Sequence, residues 1–365
     1  MTTYLLAGGG TAGHVNPLLA VADRLRAREP EATILVLGTR EGLEARLVPD
    51  RGYELLTIER LPFPRRPGRA ALRFPGRLRR AVAEVRAMLR EHHVDVVVGF
   101  GGYAAAPAYL AARAEGVPLA IHEANARPGI ANRLGALLAD GIGVAFRGTP
   151  LRRAQWVAMP LRPEIERLDR FTARAEGQRV LGLDPQRATL LVTGGSSGAR
   201  RINETIAASA SLILGTGWQI VHVTGELREE VSDRGLAGYH VLKYADRMDL
   251  VLAVADLAVS RAGTSTVAEL TALGIPAVFV PYASGNGEQR LNAREAVAAG
   301  GAILVPDADF TPEWVDRALI PLLTSRARIA DMAARMSTVG ALDGTDRMVA
   351  LIDEARARGA ARHDG

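Results

Sequence analysis

The sequence predicts an α/β protein built from two doubly wound parallel sheets. Short apolar runs alternate with amphipathic helical stretches, which is typical of parallel sheets with helices on both faces. The series begins again in the second half, where LLVTGGSSG at Leu190–Gly198 repeats the pattern of LLAGGGTAG at Leu5–Gly13. The length of 365 residues also exceeds the usual size of one hydrophobic core. We therefore expect two Rossmann-like domains.

Ten apolar runs are predicted as strands because each is short, apolar and followed by a helical pattern. In the first half they are Tyr4–Ala7, Thr33–Leu37, Val94–Val98, Leu119–His122 and Ile142–Val144. In the second half they are Thr189–Val192, Gln219–Val223, Leu257–Val259, Ala277–Val280 and Ile303–Val305. The predicted domains are residues 1–160 and 161–340. The last helical pattern, 345–358, fits either half, and we take the first domain as its candidate partner.

Composition excludes several classes of protein. The chain has no cysteine, which excludes disulfides and thiolate metal sites. The start, MTTYLLAGGG, has no basic segment before a long apolar one, so it is interpreted as a first strand rather than a signal peptide. The uncharged run Val96–Ala112 contains three glycines and a proline, so no membrane span is predicted. A cytoplasmic location is expected.

An arginine-rich stretch carries more than the whole net charge of +5. Between Arg60 and Arg90 there are ten arginines and one acid, Glu84. Apolar residues are interleaved, and this combination favours docking on an anionic membrane surface. A solvated segment is the main alternative, and nucleic acid is a less favoured one. The predicted membrane patch is Arg69, Leu72, Arg73, Phe74, Arg77 and Leu78.

The first glycine loop places a histidine at the entrance of a helix. Gly8, Gly10 and Gly13 fit the pattern G-x-G-x-x-G, which lets backbone approach a phosphate or sugar. His14 follows, whereas the equivalent position of the second half is Ala199. We interpret His14 as a candidate general base for a hydroxyl nucleophile. A capping or packing histidine is the alternative.

A dinucleotide site would need an acid at the end of the second strand to hold a ribose. That place has Leu37–Arg40 instead. Arg40 suits a 2′-phosphate, so an NADP-dependent oxidoreductase is an alternative hypothesis.

The second half offers candidate nucleotide contacts. Ser196 and Ser197 precede a helix whose amides would bind a diphosphate leaving group, although a plain tight turn is the alternative. In SRAGTSTVAEL, Glu269 could accept hydrogen bonds from ribose hydroxyls or lie on a solvated face. Asp307 and Asp309 spell D-x-D, but they precede a helix start, so no metal site is predicted.

Six motifs in order resemble the MurG family of glycosyltransferases. They are GGGTAGHVNP, GFGGYAAAP, HEANARPGIAN, GGSSGARRIN, SRAGTSTVAEL and GNGEQRLNA. The resemblance implies a GT-B fold, in which an acceptor-binding first domain and a donor-binding second domain face a cleft. It covers the chain from residue 5 to about residue 305.

The resemblance also implies a reaction. The donor would be UDP-N-acetylglucosamine (UDP-GlcNAc), and the acceptor would be lipid I, the undecaprenyl-pyrophosphoryl MurNAc-pentapeptide. The MurNAc 4-hydroxyl would attack with inversion to give lipid II and UDP. No cofactor and no metal are implied, and the enzyme would act as a peripheral protein at the cytoplasmic face of the membrane.

The family's site residues carry over by motif. The implied donor contacts are Thr11, Ala12, Gly13, Asn125, Arg162, Ser196, Ala245, Thr264, Ser265, Thr266, Glu269, Gln289 and Asn292. The implied acceptor contacts are Tyr103, His122 and Glu123.

Two positions depart from the family pattern. Before Arg162 the family shows Gly-Asn-Pro-Val, where this chain has Ala158–Leu161, and Ala245 stands where isoleucine is usual. A UDP-GlcNAc 2-epimerase shares the expected fold but has no use for a basic apolar patch. A binding-only protein is the remaining alternative.

Overall fold

The chain folds into two compact units in a computed structural model that describes residues 1–64, 68–195, 199–225, 231, 235–282 and 287–361. One unit comprises Met1–Arg162 and Asp343–Gly365, and the other comprises Pro163–Leu342. The chain therefore passes from the first unit to the second after Arg162, two residues beyond the boundary expected at residue 160. The second unit is inserted into the first.

A parallel sheet forms the centre of the first unit. Its strands within the described residues are β1 (Thr3–Gly8), β2 (Thr33–Thr39), β3 (Glu54–Ile58), β4 (Val96–Gly101), β5 (Leu119–Glu123), β6 (Gly141–Val144) and β7 (Gln155–Trp156). They lie in the order β3-β2-β1-β4-β5-β6-β7. Strands β2 and β3 lie on one side of β1, and β4 to β7 lie on the other, so the strand order reverses at β1. Open α/β sheets bind ligands at such a reversal.

Helices cover both faces of this sheet. They are α1 (Ala12–Arg28), α2 (Glu44–Asp50), α3 (Arg69–Glu91), α4 (Ala105–Glu115) and α5 (Ile130–Gly135). Successive side chains of a strand point to opposite faces, so Tyr4 and Leu6 join one apolar core while Leu5 and Ala7 join another. Burial on both faces explains why β1 is apolar throughout.

A second parallel sheet forms the centre of the second unit. Its described strands are β8 (Thr189–Thr193), β9 (Gln219–Val223), β10 (Tyr239–Leu242), β11 (Leu257–Ser260), β12 (Ala277–Phe279) and β13 (Ala302–Leu304). Their order is β10-β9-β8-β11-β12-β13, and β8 takes the central place that β1 has in the first sheet. The repeat in the sequence is thus a repeat of architecture.

Helices also surround the second sheet. They are α6 (Pro163–Glu166), α7 (Arg170–Leu181), α8 (Arg200–Leu214), α9 (Met248–Val254), α10 (Thr264–Ala272), α11 (Glu288–Asn292), α12 (Arg294–Ala298), α13 (Pro312–Trp314), α14 (Ile320–Leu323) and α15 (Arg326–Met336). A 3-10 helix spans Asp307–Asp309 and a π-helical turn spans Val315–Leu319. Arg170 ties α7 to this unit by donating to the carbonyls of Leu252, Ala255 and Leu273.

The last helix, α16 (Gly344–Ala360), returns to the first unit. It packs on α1, β5 and β6. Leu351 and Ala355 are buried against Gly141, where an added Cβ would lie 3.2 Å and 3.3 Å from them. Arg28 of α1 pairs with Asp353 at 2.6 Å. By its contacts, the final helix therefore lies with the first unit.

The predicted strands are all present, and the structure adds β3, β7 and β10. Each of these three lies at an edge of its sheet. The uncharged run 96–112 forms β4 and most of α4. No helix of the described residues combines the length and apolar composition that a membrane span requires.

Truncating the α16 contact should destabilise the first unit. We expect Leu351→Ala, at a site that is 2% exposed, to lower the free energy of unfolding by about 2–4 kcal/mol because it leaves a cavity. The exposed Glu354→Ala on the same helix should change it by less than about 1 kcal/mol. Urea unfolding measures both variants. Equal losses of unfolding free energy in the two variants would mean that α16 does not pack in the hydrophobic core.

Candidate active site

Four loops of the first unit gather at the carboxyl edge of its sheet. They follow β1, β2, β4 and β5, which are adjacent in the sheet. Three of them contain predicted site residues, namely Thr11–His14, Tyr103 and Asn125. The topology therefore brings these motifs together although more than a hundred residues separate Thr11 from Asn125 in the sequence.

His14 lies in the first turn of α1 and is half-buried. Its Nδ1 is 3.2 Å from the carbonyl oxygen of Gly9 and 3.2 Å from Oγ1 of Thr11. A carbonyl can only accept, so in the neutral ring this contact requires the proton on Nδ1. Nε2 then carries the lone pair. It lies beside Gly101, where an added Cβ would be 3.3 Å away.

Glu44 is a buried carboxylate that the sequence analysis missed. It is 1% exposed, at the start of α2. Its Oε2 accepts from the backbone N–H of Gly10 at 2.8 Å, and its Oε1 accepts from the N–H and the hydroxyl of Thr39 at 2.9 and 2.8 Å. A signal was available, because an acid follows two glycines, Gly38 and Gly42, just after a buried strand.

The loop after β4 packs on the first glycine loop. A Cβ on Gly102 would overlap the backbone of Gly9, so only glycine allows this approach. The next residue, Tyr103, is half-buried, and its hydroxyl accepts from Arg60 at 3.2 Å. The Arg60 guanidinium also lies 4.5 Å from the ring centroid, a cation–π contact.

His122 and Glu123, expected to contact the acceptor, are instead buried at 0% and 1% exposure. His122 Nε2 is 3.0 Å from the carbonyl oxygen of Ala158, and burial lowers its pKa to about 4. Glu123 accepts from the N–H groups of Asn125 and Gly129 at 2.8 and 3.0 Å. Both side chains therefore bind backbone groups of this unit, and neither is exposed to solvent.

Asn132 completes this buried network and was not singled out from the sequence. Its Nδ2 donates to Glu123 Oε2 at 3.0 Å, and its Oδ1 accepts from the Tyr109 hydroxyl at 2.7 Å. Burial raises the pKa of Tyr109. The network leaves Asn125 half-buried at the loop surface. Arg162, half-buried, is the last residue before the chain leaves this unit.

The carboxyl ends of β8 and β11 lead into the expected donor motifs of the second unit. Ser196 lies outside the described residues. Thr264, Ser265 and Thr266 form the first turn of α10 and are half-buried, as is Glu269 later in the same helix. Because Gly263 begins this helix, no side chain caps it at that position.

Asp307 of the D-x-D sequence is engaged in ion pairs. It contacts Arg261 of the SRAGT motif and lies 3.3 Å from Nε of Arg201. Thr311, rather than Asp309, caps the following helix by accepting from the N–H of Trp314. Among the described residues there is no group of three or more side chains suited to hold a metal ion.

The last motif expected to contact the donor contains one partly exposed and one buried candidate residue. Gln289 is half-buried and its Oε1 accepts from the N–H of Tyr282 at 2.9 Å. Asn292, expected to contact the sugar, is 1% exposed and its Nδ2 donates to the carbonyl of Ala262 at 3.3 Å. Asn292 therefore holds the loop before α10. Ala245 is half-buried in the loop between β10 and α9.

The arginine-rich stretch forms most of α3, and only part of the expected patch is open. Leu72 is 84% exposed, and Arg69 and Arg73 beside it are exposed. Phe74 is instead half-buried with its ring centroid 5.2 Å from that of Phe63. The Arg77 guanidinium forms an ion pair with Glu59 at 2.8 Å, so its positive charge is paired with a carboxylate. Leu78 is half-buried.

Family models match both units. The glycosyltransferase family 28 N-terminal domain matches residues 4–144, and the family 28 C-terminal domain matches residues 189–348. Two Rossmann-like units with these motifs at the strand ends thus define a family 28 glycosyltransferase of the GT-B fold.

A curated relative narrows the assignment. The UDP-N-acetylglucosamine--N-acetylmuramyl-(pentapeptide) pyrophosphoryl-undecaprenol N-acetylglucosamine transferase of Leifsonia xyli subsp. xyli is 64% identical over 352 residues, covering 96% of this chain and 98% of that protein. The chain belongs to this family of N-acetylglucosamine transferases.

Solved structures agree on the fold. Acinetobacter baumannii MurG is 28% identical and superposes with a TM-score of 0.80 over 97% of this chain and 99% of its own. A UDP-GlcNAc 2-epimerase from Neisseria meningitidis has a TM-score of 0.69 over 96% of this chain and 99% of its own, at 14% identity. The second likeness concerns the fold alone.

The buried histidines should make stability depend on pH. His222 is a fully buried residue of β9. Burial lowers the pKa of His122 and of His222 to about 4, so the unfolded chain binds more protons than the folded one as the pH falls below about 6.5. Each should remove about 2 kcal/mol of unfolding free energy between pH 7 and pH 5. Urea unfolding of His122→Asn and His222→Asn should show a smaller pH slope than the half-exposed control His92→Asn. An unchanged slope would refute the buried neutral state.

Proposed function

We propose that the chain transfers GlcNAc from UDP-GlcNAc to the 4-hydroxyl of MurNAc in lipid I, giving lipid II and UDP. The observation that carries this proposal is the 64% identity, over 96% of the chain, to a transferase of that name. The site supports it through His14, which lies in the first turn of α1 at the carboxyl edge of the first sheet, with Nδ1 next to the Gly9 carbonyl.

His14 is the proposed general base. Its Nε2 takes the proton of the acceptor hydroxyl while that oxygen attacks the anomeric carbon from the face opposite UDP. The bond to the UDP oxygen breaks with its electron pair, so the configuration inverts. The contact of Nδ1 with the Gly9 carbonyl stabilises the imidazolium that forms.

The second unit is the proposed donor site. The first turn of α10 presents Thr264–Thr266 to the nucleotide, and its N-terminal amides favour negative charge. Ser196 is proposed for the diphosphate, Glu269 for the ribose, the backbone of Ala245 for the base and Gln289 for the sugar. In the first unit, Asn125, Tyr103 and Thr11–Gly13 are the proposed substrate contacts. Arg162 is also proposed to contact the donor.

Two alternatives find less support. An NADP-dependent oxidoreductase would need the amides of the first glycine loop for a pyrophosphate, but the N–H of Gly10 already binds the carboxylate of Glu44. A UDP-GlcNAc 2-epimerase shares the fold with 14% identity, which carries no argument about activity.

The decisive assay measures UDP release from UDP-GlcNAc with and without lipid I. We expect release to depend on lipid I and a lipid-linked disaccharide to form. Conversion of UDP-GlcNAc to UDP-ManNAc without an acceptor would instead identify an epimerase.

Removing the base should slow the chemical step. We expect His14→Ala to lower kcat by roughly 10²- to 10⁴-fold with little change in UDP-GlcNAc affinity, because no donor contact is assigned to the His14 side chain. His92→Ala, at the end of α3 in the same unit, is the matched control and should retain activity. Steady-state kinetics and UDP-GlcNAc titration separate the two effects. Undiminished turnover would remove His14 from the mechanism.

We also propose that the enzyme works as a peripheral protein at the cytoplasmic face of the membrane. The supporting observation is the exposed group Arg69, Leu72 and Arg73 on the first turns of α3, which combines an apolar side chain with two cations. Such a surface binds anionic lipid by charge and by shallow insertion.

The double variant Leu72→Ser/Arg73→Glu should weaken binding to vesicles containing anionic lipid by about tenfold or more, since it removes an apolar contact and reverses a charge. Phe171→Ser is the control, because Phe171 is 91% exposed in the second unit. Vesicle co-sedimentation measures both. Equal binding by wild type and double variant would leave α3 without this role.

A further inference from the structure

One peptide group of the first glycine loop is held from both sides. The bond between Gly9 and Gly10 contributes the carbonyl of Gly9 and the N–H of Gly10. The carbonyl accepts from Nδ1 of His14 at 3.2 Å, and the N–H donates to Oε2 of Glu44 at 2.8 Å. Because a peptide is planar, fixing the direction of its N–H also fixes the direction of its carbonyl.

We propose that Glu44 is a positioning residue that sets the tautomer of His14 through the Gly9–Gly10 peptide. The carboxylate aims the Gly9 carbonyl at Nδ1, which keeps the proton there and leaves Nε2 as the base. This proposal rests on the proposed role of His14. Glu44 acts through the backbone and contacts no substrate.

A carboxylate is required by the partners that surround this side chain. Glu44 meets three donors: the N–H of Gly10, the N–H of Thr39 and the hydroxyl of Thr39. A glutamine in place of Glu44 would offer one oxygen and one NH2 group. One of the two backbone N–H groups would then face the NH2 group, which is itself a donor. A buried donor left without a partner is unfavourable, and this would disturb the loop.

Glycines make room for the carboxylate. A Cβ on Gly9, Gly38 or Gly42 would overlap the Glu44 side chain. The side chain is therefore confined by two loops from adjacent strands, β1 and β2, and has little freedom to choose other partners. Because Glu44 is the first residue of α2, the position of α2 then influences the orientation of the His14 ring.

The arrangement also assists the reaction electrostatically. When Nε2 gains a proton, the Nδ1–H group becomes a stronger donor to the Gly9 carbonyl. The carboxylate polarises the same peptide in the direction that favours this donation, and hydrogen bonds in such a chain reinforce one another. The proton taken from the acceptor hydroxyl remains on the imidazole.

The first test is the tautomer of His14 itself. Nitrogen-15 NMR of protein labelled in histidine should show the proton on Nδ1 in the wild type, with His14→Ala providing the assignment. In Glu44→Gln we expect a substantial shift of the proton to Nε2. The control is Glu29→Gln, because Glu29 accepts from Tyr4 in the same unit, away from the glycine loop. An unchanged His14 tautomer in Glu44→Gln would overturn the proposal.

Kinetics provide the second test. Glu44→Gln should lower kcat by roughly 10- to 100-fold, as loss of an orienting partner typically does, with KM for UDP-GlcNAc nearly unchanged. In a His14→Ala background the same substitution should have little further effect on kcat, because both changes remove one function. Multiplying effects would mean that Glu44 acts independently of His14 and would refute the proposal.

Two further comparisons keep the outcomes distinct. If His14→Ala itself retains full turnover, the base assignment fails, whereas a slow His14→Ala with a fully active Glu44→Gln refutes only the positioning role. If Glu44→Gln does not fold by circular dichroism, Glu44→Asp is measured in its place. Its carboxylate is one methylene shorter, so it should satisfy Thr39 but lose Gly10 and show the same tautomer shift. An unshifted tautomer in that variant would also count against the proposal.

Discussion

Helices cover both faces of each parallel sheet, and this constraint determines where chemistry can occur. Side chains of the strands are committed to packing, as the two apolar cores on either side of β1 show. Candidate functional groups therefore lie in the loops and first helical turns that follow the strand ends. In the first unit these loops are rich in glycine because they must approach one another: Gly102 lies against the backbone of Gly9, and Gly9 lies against Glu44.

The central strands could be predicted from sequence, while several edge strands could not. Burial on both faces makes β1, β4 and β8 continuous apolar runs, which is a strong signal. By contrast β3, β7 and β10 lie at sheet edges and are only partly buried, so their sequences carry a weaker pattern.

Site residues were predicted as motifs, but the sequence did not distinguish contact from support. His122, Glu123 and Asn292 belong to the expected motifs, yet each is buried and binds neighbouring backbone. Such motifs therefore include residues that fix the conformation of a loop as well as candidate substrate contacts. Glu44 was missed for the opposite reason, since it lies 34 residues from Gly10 and only the pairing of β1 with β2 brings them together.

The return of α16 to the first unit has a consequence during synthesis. Residues 163–342 must leave the ribosome before α16 does, and they form a separate unit. At about 5–20 residues per second, that interval lasts roughly 10–40 seconds. Throughout it, the face of β5 and β6 that receives Leu351 and Ala355 has no helix to cover it. The nascent chain therefore presents an apolar surface of its first domain while its second domain is still being made.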